Sequence, residues 1–118
     1  MKVFLVALFL TLGVVVLSGA SCTKQPTSSN ETGIAKTKVL IENSTFVPSN
    51  LTISQNTVVT WTNNDLVAHH IISNEDPVAF ESGILEQGSD FNFTFTETGT
   101  YPYRCEIHPE MKGIITVQ

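Results

Sequence analysis

The sequence predicts an all-β fold, a Greek-key sandwich or barrel of about seven to eight strands. Short segments rich in Val, Ile, Thr and aromatics recur along Lys38–Gln118, bounded by Asn, Ser, Gly and Pro, and no stretch sustains a helical period. Phe91, Phe93 and Phe95 alternate with Asn92, Thr94 and Thr96, so one face of that segment is an aromatic wall and the other meets water. Tyr101, Tyr103 and Cys105 repeat the pattern.

The chain of 118 residues divides into three parts before any strand is considered. Residues 1–22 read as an export signal: Lys2 opens it, Val3 to Leu17 is an apolar run broken only by Thr11 and Gly13, and Ser18-Gly19-Ala20 offers small residues for cleavage. The run falls short of the roughly 18–20 residues of a spanning helix, which leaves an uncleaved anchor as the alternative. Cys22, behind Gly19-Ala20-Ser21, looks like a lipoprotein processing site, although Gly19 stands where a large aliphatic residue is usual. Lipidation at Cys22 and plain cleavage after Ala20 therefore both fit. Either route places the protein outside the cytoplasm, in a periplasm or on the outer face of the cytoplasmic membrane. Residues 23–37 are rich in Ser, Thr, Asn, Lys and Gln and cannot bury enough apolar surface to fold, so they read as a flexible linker.

The folded part is then one domain, residues 38–118. Strands are expected near Lys38–Glu42, Asn50–Ser54, Thr57–Asn63, Ala68–Ser73, Asp90–Thr96, Thr100–Cys105 and Gly113–Gln118. The segment Asn74–Gly88 carries Glu75, Asp76, Pro77, Glu81 and Glu86 without strand alternation. It reads as a long connection with at most one helical turn, a solvated loop rather than an acidic docking patch.

Five basic residues follow the leader, against eleven acidic ones, which argues against nucleic acid and against an anionic membrane surface as partners. Four Asn-x-Ser/Thr sequons, at Asn30, Asn43, Asn50 and Asn92, permit glycosylation in an exported chain.

A domain of this size has a marginal core and commonly needs a disulfide or a metal. Cys105 is its only cysteine, so no internal bridge can form, and an exposed thiol outside the cytoplasm would oxidise. Metal ligation resolves both problems. Cys105, His108 and Met111 stand three residues apart in Tyr103-Arg104-Cys105-Glu106-Ile107-His108-Pro109-Glu110-Met111, and His69-His70 supply the chain's only other imidazoles. Thiolate, imidazole and thioether hold copper in both oxidation states, and two His, one Cys and a weak axial Met make a blue-copper set. Neighbouring strand residues point to opposite faces, so only one of His69 and His70 can face the ion.

The segment Trp61-Thr62-Asn63-Asn64-Asp65-Leu66-Val67-Ala68-His69, followed by Ile71, resembles the first-histidine segment of plastocyanin- and amicyanin-type cupredoxins. Phe80, Ser82-Gly83, Leu85, Gly88, Phe91, Phe93-Thr94-Phe95, Gly99-Thr100-Tyr101, Tyr103, Cys105, His108-Pro109, Met111 and Gly113 continue the likeness, and the short ligand loop is similar to that of amicyanin. The resemblance spans the whole folded part. It implies a cupredoxin-like sandwich with one type 1 copper ion, His69, Cys105 and His108 as equatorial ligands and Met111 as the axial one. It further implies a monomeric electron carrier, not an enzyme, whose redox donor and acceptor dock transiently where the His108 ring emerges near Pro109. One residue departs: after the first ligand the family usually carries Asn, Thr or Ser, and here His70 stands. Its backbone N–H would still support the copper sulfur, and its titrating ring makes a pH-dependent potential the expectation.

Two rival readings use the same features. A copper-delivery or storage protein would use the same donors, but the Met- or His-rich tracts typical of delivery are absent from this sequence. A non-redox adhesion sandwich is suggested by Glu97-x-Gly99-x-Tyr101, which resembles the tyrosine corner of immunoglobulin-like domains, yet those usually pair two core cysteines.

Overall fold

In the computed structural model, Gly19 and residues 33–118 are described. The expected leader, the Cys22 processing site, the sequon at Asn30 and residues 23–32 of the expected linker fall outside the described residues, apart from Gly19 itself. Nine strands form two mixed sheets: β1 Lys36–Glu42, β2 Thr45–Val47, β3 Asn50–Ile53, β4 Thr57–Asn63, β5 His69–Ser73, β6 Glu81–Leu85, β7 Asp90–Phe95, β8 Gly99–Cys105 and β9 Lys112–Val117. One sheet has the order β2-β1-β4-β7, the other β3-β9-β8-β5-β6. The pairs β1/β4 and β3/β9 are parallel and the remainder antiparallel.

All seven expected strands are present, and two short ones complete the sandwich. β2 is a three-residue hairpin return on β1. β6 lies within the connection expected to be strandless: Glu81-Ser82-Gly83-Ile84-Leu85 shows no alternation because its pairing with β5 is irregular and Gly83 has φ of 67°. Its register with β5 shifts between His70 and Ile72. At that shift the Ile71 N–H turns to the Ser82 hydroxyl, 2.8 Å away, instead of to a backbone carbonyl. β1 begins at Lys36, two residues earlier than the expected domain boundary. Among the described residues there is no helix.

The alternation read from the sequence becomes the core. On β4, Thr57, Val59, Trp61 and Asn63 point inward; on β5, His69, Ile71 and Ser73; on β8, Tyr103 and Cys105. Trp61 sits at the centre, with its ring centroid 5.4 Å from Phe80, 5.5 Å from Phe91 and 5.6 Å from Tyr103. Each such buried side chain contributes roughly 1.5–3 kcal/mol, so this cluster is the main adhesive between the sheets. Tyr103 fits only because β9 carries a glycine opposite it: a methyl group on Gly113 would overlap the phenol ring. Burial pushes the Tyr103 phenol up to about 12, with the neighbouring Trp61 N–H offsetting part of the effect. The tyrosine corner is also present, as the Tyr101 hydroxyl donates to the Glu97 carbonyl at 3.0 Å.

Candidate metal centre

Strand pairing brings the four expected donors to one end of the second sheet. Ile71 of β5 lies opposite Cys105 of β8, and both strands run out at that end, β5 beginning with His69 and β8 finishing with Cys105. From Cys105 the chain makes a tight loop back to β9. That loop is closed by the Cys105 N–H on the Met111 carbonyl (3.0 Å), the Met111 N–H on the His108 carbonyl (2.9 Å) and the Glu106 N–H on the His70 carbonyl (2.8 Å). Those bonds turn His108 and Met111 back towards the strand ends, and Met111 is buried.

Three donor atoms form a nearly equilateral triangle. His69 Nδ1 and His108 Nδ1 are 3.2 Å apart, and Cys105 Sγ is 3.7 Å from the first and 3.6 Å from the second. An ion at the centre would lie about 2 Å from each atom, the length of a metal–imidazole bond and a little inside the roughly 2.3 Å of a metal–thiolate bond. Two imidazole nitrogens and a cysteine sulfur converging this closely are a donor set that a cation would fill. The residues present fit the group, and with Met111 beside them the donor set is consistent with a type 1 copper site.

The surroundings fix each donor differently. His69 is wholly buried, and its Nε2 lies 2.9 Å from Asp65 Oδ2, which fixes Nε2–H as the donor and leaves the Nδ1 lone pair free. Cys105 Sγ accepts the His70 N–H at 3.4 Å. The His70 ring points away from the site, as the alternation on β5 requires, with Nε2 2.8 Å from Glu81 and Nδ1 2.8 Å from Glu106. The ring thus lies between a carboxylate of β6 and one of the ligand loop, and it ties the edge strand to that loop. His108 is only partly buried.

Two further residues hold the site, and neither was identified from the sequence as more than part of a turn. Asn63 is completely buried: its Nδ2 donates to the Val67 and Leu85 carbonyls, both at 2.9 Å, and its Oδ1 accepts the Asp65 N–H at 2.9 Å. It moulds the loop that leads into His69. Asp65 accepts the Asn43 N–H on Oδ1 (2.6 Å) and the Ser44 N–H on Oδ2 (2.8 Å), besides His69. Asn43 and Ser44 have φ of 52° and 54°, a left-handed turn that aims two successive N–H groups at one carboxylate. Partial desolvation raises the Asp65 pKa, but the Ser44, His69 and Asn43 donors outweigh it and hold the carboxyl below its usual range. The sequence signal was Asn-Asn-Asp four residues ahead of a histidine, which by itself marks only a turn.

Residues 8–117 match the family described as the cupredoxin-like domain. Plastocyanin of Scenedesmus fuscus is 38% identical over 84 residues, covering 62% of this chain and 86% of that protein. Amicyanin-alpha of Methylorubrum extorquens is 31% identical over 96 residues, covering 79% of this chain and 75% of that one. Among solved structures, a purple cupredoxin from Nitrosopumilus maritimus superposes with a TM-score of 0.63 at 35% identity, over 69% of this chain and 98% of the other. With the strand order, the donor triangle and these likenesses in agreement, the chain belongs to the cupredoxin-like family, related to plastocyanin and amicyanin.

Proposed function

We propose that this protein is an extracytoplasmic blue-copper electron carrier in which His69, Cys105, His108 and Met111 would hold one copper ion. The donor triangle carries this reading, because His69 Nδ1, Cys105 Sγ and His108 Nδ1 already stand at coordination distance from a common centre. Bound copper supplies one-electron chemistry between Cu(II) and Cu(I). The chain supplies a site that need not rearrange: Asp65 fixes the His69 ring, the His70 N–H fixes the sulfur, and three backbone bonds fix the loop. Little reorganisation then opposes the transfer.

His108 gives the route out. It is the one imidazole of the pair that reaches the surface, next to exposed Ile107 and Pro109, while Leu66 (87% exposed) and Val67 (49%) protrude from the loop that leads into His69. An apolar rim of this kind suits a small, short-lived interface with a redox donor or acceptor. The protein acts as a monomer. The plastocyanin and amicyanin it resembles carry electrons rather than catalyse a reaction, and four protein donors would leave no open position for a substrate.

Delivery or storage of copper is the second reading. Burial of His69, Cys105 and Met111 disfavours it, since handing metal to an acceptor requires donors that the acceptor's ligands can reach.

Export rests on the leader at residues 1–22, with a lipid at Cys22 or cleavage after Ala20. Cell fractionation with fatty-acid labelling of wild type and Cys22→Ser tests this. Soluble, unlabelled wild type refutes the lipid, and cytoplasmic protein refutes export.

Voltammetry of the copper-loaded chain, alongside transfer of copper to a chelating acceptor, tests the function. A reversible one-electron wave with slow copper loss is the result expected of a carrier. Rapid transfer to the acceptor without a wave would establish delivery instead.

A further inference from the structure

The carboxylate of Asp65 does more than close a turn. It accepts three hydrogen bonds from two places: Asn43 and Ser44 at the β1–β2 turn, and the ring of His69. His69 is 0% exposed, and the Asp65 side chain is 14% exposed, so the contact is largely withdrawn from solvent screening. The full negative charge of Asp65 is thereby placed one imidazole ring away from the donor triangle. Close by, Glu42 is another carboxylate of the same charge, but it accepts from Asn64 Nδ2 at 2.9 Å and is not bonded to a ligand.

We infer that Asp65 is a positioning residue that sets the redox balance of the site, its hydrogen bond from His69 Nε2–H favouring the oxidised, more highly charged copper over the reduced one. The physical cause is twofold. A histidine whose second nitrogen donates to a carboxylate is a more basic ligand, because negative charge stabilises partial positive charge on the ring. That charge also lies nearer to the ion than bulk screening can cancel, and it interacts more strongly with Cu(II) than with Cu(I). A purely structural carboxylate would hold the turn and leave the potential alone. The inference rests on the copper reading above and deepens it.

The test uses the full chain and three proteins: wild type, Asp65→Asn and Glu42→Gln, each loaded with copper and followed by voltammetry at one pH and ionic strength. Asp65→Asn keeps the shape of the side chain and removes its charge. Removing such a partner typically changes metal affinity by about 10–100-fold. The expected result is a preference for Cu(I) over Cu(II) raised about tenfold in Asp65→Asn, read as a potential about 59 mV higher. Glu42→Gln should shift the preference less than twofold. A wave in Asp65→Asn at the wild-type potential, or a shift no larger than that of Glu42→Gln, overturns the inference while leaving the copper reading intact. A wild type that shows no wave sinks the copper reading instead.

Nitrogen NMR of the wild-type Cu(I) form gives an independent answer should Asp65→Asn fail to fold. A His69 ring protonated at Nε2, with that proton protected from exchange, is the expected signature. A rapidly exchanging Nε2 proton, or a ring protonated at Nδ1, would overturn the assignment.

Discussion

The site has two halves that differ in almost every physical respect. His69 comes from a strand, is wholly buried, and is held through Asp65 and Asn63 by a network that reaches two other segments of the chain, the β1–β2 turn and β6. His108 comes from a short loop, is partly exposed, and is positioned by a few backbone bonds local to that loop. Cys105 belongs to both, as the last residue of β8 and the first anchor of the loop. The difference teaches that rigidity and access are assigned to separate ligands. On the carrier reading proposed above, one histidine would preserve geometry between oxidation states, and the other would meet the partner.

Removing the residue common to both halves should have the largest effect. Cys105→Ser is expected to abolish the thiolate-to-copper absorption entirely, since no other sulfur anion is available in the folded domain, and an optical titration with Cu(II) reads this directly. Next, the halves should part under ligand deletion. In His108→Gly the gap opens to solvent, so added imidazole is expected to enter and restore most of the colour. In His69→Gly the gap is sealed, and imidazole should restore little. Equal rescue of both variants would erase the distinction drawn here. His70→Ala, whose ring faces away from the triangle, should keep the colour.

Stability should divide along the same line. Asn63→Ala leaves a buried carbonyl, a part-buried carbonyl and a part-buried N–H without their partner and is expected to cost about 3 kcal/mol in denaturant melts. Pro109→Ala, exposed on the loop, should stay within about 0.5 kcal/mol. A smaller effect concerns the core below the strand-borne half. Because the folded state holds the Tyr103 proton up to about 12, well above the ordinary value of 10, it binds that proton where the unfolded chain has released it. The stabilisation is complete below about pH 10 and is lost progressively between roughly pH 10 and 12. Tyr103→Phe should remove that alkaline step from a plot of melting temperature against pH, and an unchanged step would place its origin elsewhere.

The smallest change is expected on the axis of the site. Met111→Gln should keep the colour and lower the potential, because an amide oxygen favours Cu(II) more than a thioether does.

Much of this was legible in the sequence because strands have a strict period. The inward residues of β4, β5 and β8 follow from alternation alone, and the same alternation admits just one of His69 and His70 to the site. Cys105, His108 and Met111 were legible because their donor chemistry is specific and their spacing short. β6 was not, since an edge strand with a register shift and a Ser hydroxyl replacing a ladder bond leaves no periodic trace. Asp65 and Asn63 were not legible as supports either. Asn and Asp in a turn usually bond their own backbone, and only the three-dimensional path of β1 shows that Asp65 instead receives the Asn43–Ser44 turn on one side and His69 on the other.

The most direct test of the central claim is a combined optical and EPR titration of the metal-free protein with Cu(II). The donor triangle predicts saturation at one ion per chain, an intense thiolate-to-copper band and a narrow hyperfine splitting. A protein that stays colourless at saturation, or that takes up zinc in preference and shows no oxidation–reduction wave, would contradict it.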